Sequence, residues 1–128
     1  MAGYSTNIEK ASLENEYFRE VLFTGEHTQL VVMSLAPGED IGLETHDDVD
    51  QFIRVERGKG KAILDDEAHD LEDGSAVVIP AGTRHNIVNR SQSETLKLYT
   101  LYSPPQHPQG TIHKDKAEAL AYEEKHHH

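Results

Sequence analysis

Short apolar runs alternate along the chain with turns rich in glycine, proline and aspartate. The strongest run, 29–35 (QLVVMSL), stops at Pro37-Gly38. Further strand-type runs fall at 17–23, 51–56, 61–64, 68–71, 76–79, 86–88 and 96–102. Asp65-Asp66-Glu67, between two of them, predicts a hairpin. Within 96–102, strict alternation directs Lys97 to water and Leu96, Leu98, Thr100 and Tyr102 to a core. The stretch 8–20 is polar, and Ser12 is placed to cap one helical turn. Prolines at 104, 105 and 108 end the strand pattern. Residues 115–125 then predict a short helix with Asp115 near its N-terminus. Short strands at this near-regular spacing predict an all-β sandwich or barrel.

The length of 128 residues predicts one domain over 1–128. A formal net charge of −11 argues against nucleic acid or an anionic membrane surface as partner, and favours a bound cation. There is no cysteine, so disulfides and thiolate metal sites are excluded. The first residues lack a basic, then apolar, leader pattern, and no apolar run is long enough to span a membrane. The expected setting is cytoplasmic. His126, His127 and His128 are read as a tag or tail and carry no chemistry here.

The segment 74–89 (GSAVVIPAGTRHNIVN) carries the most specific signal. A short strand enters a Pro-Ala-Gly turn, and His85 opens the returning strand, so its imidazole is held between two strands. Upstream, Glu44 and His46 are two residues apart and share a face if that stretch is extended. Gln51 opens the next strand after an acidic turn. Two imidazoles, one carboxylate and one amide oxygen make a ligand set for a single divalent metal ion: Zn, Mn, Fe or Ni. The alternative is that Glu44 and Gln51 are polar pocket residues beside no metal.

These residues resemble the two motifs of the cupins. The second motif, G-x5-P-x-G-x2-H-x3-N, is matched at every fixed position by Gly74, Pro80, Gly82, His85 and Asn89. The first, G-x5-H-x-H-x(3,4)-E-x6-G, falls on Gly38, Glu44, His46, Gln51 and Gly58, with Glu in place of the first His and Gln in place of the Glu. The resemblance extends by strand pattern over about 17–102. It implies a double-stranded β-helix (jelly-roll) with a short C-terminal helical tail. It also implies a metal held by Glu44, His46, Gln51 and His85, and a homodimer. The chain is similar to small cupins of the mannose-6-phosphate isomerase-like kind. That likeness implies a metal-dependent isomerase acting on a sugar or sugar phosphate; an oxygenase and a non-catalytic small-molecule binder stand as alternatives.

The remaining polar residues are read as follows. Asp47, Asp48 and Asp50 form a solvated turn, and His27 and His69 lie on the surface. Arg54 and Arg57 balance the acidic surface, with an anion site at the barrel mouth as the second reading. Tyr99 and Tyr102 pack in the core or an interface. For 103–113, ordinary surface packing is favoured over a fold-back that brings His107 or His113 to the pocket.

Overall fold

A computed structural model describes residues 2–125. The terminal histidines lie outside the described residues. Among the described residues there are nine strands and two helices: α1 (Ile8–Glu14), β1 (Arg19–Thr24), β2 (Gln29–Leu35), β3 (Asp50–Arg57), β4 (Gly60–Leu64), β5 (Glu67–Leu71), β6 (Ala76–Ile79), β7 (His85–Asn89), β8 (Leu96–Ser103), β9 (Ile112–His113) and α2 (Lys116–Lys125). They form a six-stranded antiparallel sheet in the order β6-β3-β8-β2-β1-β9 and a three-stranded sheet in the order β5-β4-β7. This is the jelly-roll arrangement expected, although no continuous ladder closes the two sheets into one barrel among the described residues.

The core lies between the sheets. β8 alternates as its sequence predicts, with Leu96, Leu98, Thr100 and Tyr102 buried and Lys97 turned outward. β2, inserted between β1 and β8, is buried almost throughout. Val31, Met33, Ile53, Val55 and Leu98 meet Ala62, Leu71 and Ile87 of the smaller sheet. Burying each larger aliphatic side chain contributes about 1.5–3 kcal/mol.

The β4–β5 hairpin turns through Asp65, whose φ of 53° is one that aspartate tolerates. Gly58 follows β3 at φ 116°, and a Cβ there would sit 3.0 Å from the Thr95 carbonyl oxygen, so no other residue fits without strain.

Three local expectations are corrected. Asn7, not Ser12, caps α1, accepting from Lys10 N–H at 3.0 Å; Ser12 lies buried inside the helix. Four residues separate α1 from β1, so the first strand begins at Arg19 rather than Tyr17. The side chain of Asn15 bonds both the N–H and the carbonyl of Tyr17 in this bend. The stretch carrying Glu44 and His46 is not a regular strand. It is held along the free edge of β7 by Ile41 N–H to Ile87 O at 2.9 Å and by two isolated bridges, Asp40–Val88 and Glu44–His85.

α2 is capped by Asp115, which accepts from Glu118 N–H at 2.9 Å, while Glu118 reaches back to Lys114 N–H at 2.8 Å. No helix among the described residues is long and apolar enough to cross a membrane.

Candidate metal centre

The site is built on the turn after β6. Thr83 N–H bonds Pro80 O at 3.1 Å, with Gly82 at φ 86° in the position where a type II turn needs positive φ. Gly82 N–H then donates to the His46 carbonyl at 2.8 Å, tying the upstream segment to the same turn. One step further, Glu44 and His85 exchange both backbone hydrogen bonds at 2.8 Å, so their side chains project to one face. The Thr83 carbonyl accepts from His85 Nδ1–H at 2.8 Å, which leaves Nε2 as the free lone pair.

The donor atoms of Glu44, His46 and His85 all lie within 4.8 Å of one another. Glu44 Oε2 is 3.8 Å from His46 Nε2, and the two imidazole centroids are 5.4 Å apart. Ligands about 2.0–2.2 Å from one ion lie roughly 3–4.4 Å apart, so a small inward adjustment seats a cation. Gln51 is the second residue of β3, and Thr100 Oγ1 accepts from its Nε2 at 3.1 Å. Its Oε1 is buried with no partner, as are His46 Nε2 and His85 Nε2. Buried polar atoms are rarely left unpaired. The two orphaned imidazole nitrogens, clustered with the Glu44 carboxylate, fit a cation, whereas a hydrogen-bonded polar core would have paired them.

Glu44 and His46 line a cavity of about 840 Å³, together with Arg19, Gln106, His107, His113 and residues of α2. Burial pushes the Glu44 carboxyl up to about 7, against the opposing pull of Arg19. Burial, then the neighbouring His85 and Arg19, lowers His46. Burial, with Arg19 second, takes His107 down to about 3 and also lowers His113. Neutral imidazoles keep their lone pairs for binding at physiological pH.

The 103–113 segment folds across the cavity instead of packing on the outer surface. Gln29, fully buried in β2, accepts from Gln106 N–H at 3.1 Å and His107 N–H at 3.0 Å, and donates to His107 O at 2.7 Å and Thr24 Oγ1 at 2.9 Å. The His107 ring then stands edge-on to Tyr102, centroids 5.1 Å apart, and Tyr102 is also edge-on to His46 at 6.2 Å. Burial raises the Tyr102 hydroxyl pKa well above its ordinary value.

Most other residues take their expected places, but Asp50 opens β3 and its Oδ1 accepts from Ala81 N–H at 2.8 Å instead of lying in the turn. Asp47, Asp48, Asp50, His27 and His69 are exposed. Arg54 pairs with Glu56 at 2.9 Å, away from the cavity. The arginine of the pocket is Arg19, which sequence reasoning missed along with Gln29, Tyr122 and Glu123. Nothing local marks them: Arg19 meets His113, 94 residues away, and Gln29 meets His107, 78 residues away. Asn89 of the second motif is structural, its Nδ2 donating to the carbonyls of Leu35, Ala36 and Glu94.

Two facing antiparallel sheets with this site at one end define a cupin, and the sequence agrees. Residues 31–102 match the cupin domain family (Cupin_2), and the chain belongs to it. It is similar to YrkC of Bacillus subtilis (strain 168), 46% identical over 127 residues covering 94% of this chain and 68% of YrkC. Its structure resembles the crystal structure of BH2720 from Bacillus halodurans, with TM-score 0.89 and 46% identity over 92% of this chain and 93% of that one. KdgF from Halomonas sp., at 24% identity and TM-score 0.63 over 69% of this chain and 78% of that one, shares the fold alone.

Proposed function

We propose that this cupin binds one divalent metal ion through Glu44, His46, Gln51 and His85, and acts as an isomerase- or epimerase-type catalyst on a small, oxygen-rich, sugar-like molecule. The observation that supports it most is the cluster of Glu44, His46 and His85, whose ligand atoms lie within 4.8 Å of one another, with both imidazole Nε2 atoms buried and unpartnered, beside the cavity that Glu44 and His46 line. When bound, the ion would polarise a substrate carbonyl or hydroxyl oxygen.

The chain's own residues do the rest. Glu44 contributes the one negative charge of the donor set, and Thr83 fixes His85 in the tautomer whose Nε2 points at the cluster. The 103–113 segment, fastened by Gln29, forms one wall of the cavity. His107 is too weak a base to abstract a proton, but its unpartnered Nε2 accepts a hydrogen bond from a substrate hydroxyl. Glu123, on α2, lines the cavity outside the donor cluster and is the carboxylate placed to move a proton.

Two imidazoles with one carboxylate also suit iron and oxygen chemistry, so an oxygenase is the second reading. The test is to load the protein separately with Zn, Mn or Fe(II) and offer aldoses, ketoses and their acids. Isomerisation under nitrogen with Zn or Mn supports the proposal; substrate-dependent oxygen uptake seen only with Fe(II) replaces it with the oxygenase.

A further inference from the structure

Arg19 is the anomaly of the cavity. It is 2% exposed, and among the described residues it makes no ion pair. Its Nη1 lies 3.1 Å from His113 Nδ1, its side chain also hydrogen-bonds the neutral Tyr102 hydroxyl, its guanidinium carbon is 5.3 Å from the Phe18 ring centroid, and its Nε has no partner. An arginine cannot shed its charge, so a buried guanidinium without a counter-anion costs several kcal/mol in general. The register holds it there: Arg19 sits opposite His113 on β9 and Met33 on β2, and its side chain joins Glu44 and His46 in lining one cavity.

We propose that Arg19 is a substrate-anchoring residue that takes a carboxylate, so that the ligand of this pocket is a small hydroxy- or oxo-carboxylate. One end of such a molecule rests on the guanidinium, and a neighbouring hydroxyl or oxo oxygen faces the Glu44–His46–His85 cluster. A planar carboxylate matches the fork of donors that arginine presents. A phosphate dianion is disfavoured: the lining holds one arginine, no lysine and two carboxylates, Glu44 and Glu123. A carboxylate brings half the charge of a phosphate dianion against those same two side chains, and Arg19 is the lining group that offers it a permanent positive charge. The proposal rests on the metal-site reading for the second contact, but its first contact does not require a metal.

The test measures ligand affinity calorimetrically on the full chain, both metal-loaded and chelated, using glycolate, pyruvate and galacturonate. The controls are the matching amides or neutral sugar and inorganic phosphate. The expected result is carboxylate binding at least tenfold tighter than that of the neutral partner in wild-type protein. Arg19→Gln should lose that preference with metal content unchanged, and Arg19→Lys should recover part of it. If neutral partners bind equally well, if phosphate binds more tightly, or if folded Arg19→Gln binds carboxylates like the wild type, the assignment is overturned. The wild-type comparison decides the matter even if the variants fail to fold. Carboxylate preference in protein that takes up no metal would uphold Arg19 while sinking the metal reading.

Discussion

Glu44 and His85 face each other across an antiparallel bridge, each N–H bonded to the other's carbonyl at 2.8 Å. Two segments distant in sequence thereby present a carboxylate and an imidazole on one face, and His46 follows because Gly82 N–H holds its carbonyl at 2.8 Å. The backbone around the turn, rather than any contact between the side chains, positions the donor set.

Metal-free protein should become more stable when Glu44 is replaced by Gln. The folded-state pKa of Glu44 is about 7 against 4.5 for the free group, so the fold favours the protonated carboxyl. Stability is therefore lost as pH rises from 4.5 through 7, by roughly 3 kcal/mol in full. Glu44→Gln should raise the stability of chelated protein by that order at pH 8 and by little at pH 4.5, while weakening metal binding. Denaturant melts at the two pH values check this; equal shifts at both would contradict it.

The His107 imidazole works in the other direction. Its folded pKa of about 3 lies far below the ordinary 6.5, so below pH 6.5 the unfolded chain takes up a proton that the fold refuses. Its contribution is fully present above 6.5 and falls by about 1.4 kcal/mol per pH unit as the solution is acidified toward 3. His107→Gln should flatten the stability profile between pH 6.5 and 4.5 relative to wild type. An unchanged slope would mean that this ring is not buried in solution.

Gln29→Ala should release the 103–113 segment. The substitution strands the Gln106 and His107 amides and the His107 carbonyl, at a cost of about 2–4 kcal/mol. Hydrogen exchange should show lost protection at Gln106 and His107, while amides of β2 and β8 stay protected.

Asn89→Asp should be worse than Asn89→Ala. A carboxylate cannot donate to the carbonyls of Leu35, Ala36 and Glu94, and its charge would be buried among them. A loss of about 2–4 kcal/mol is expected for Ala and more for Asp, with metal stoichiometry unchanged in protein that folds. Selective metal loss would make Asn89 part of the centre instead.

Much of this was readable from local sequence because local sequence controls it. Alternation in 96–102 gave the buried face of β8, and Pro80-Ala81-Gly82 gave the turn that presents His85. Glu44 and His46 converge as their spacing suggests, but through an irregular edge segment instead of a strand. Arg19 and Gln29 look like ordinary strand residues; their meaning comes from β9 and the 103–113 segment, which reach them only after the sheets assemble. The polar start of α1 concealed its cap for a different reason: Asn7 and Ser12 are both good capping residues, and tertiary burial chose between them.

The most direct test is elemental analysis of protein prepared without a nickel column, then reconstituted separately with Zn, Mn, Fe(II) and Ni and dialysed. About one divalent ion per wild-type chain, with a large loss in His46→Ala and His85→Ala of unchanged secondary structure, is the predicted result. A wild-type chain that retains none of these ions after reconstitution would contradict the account.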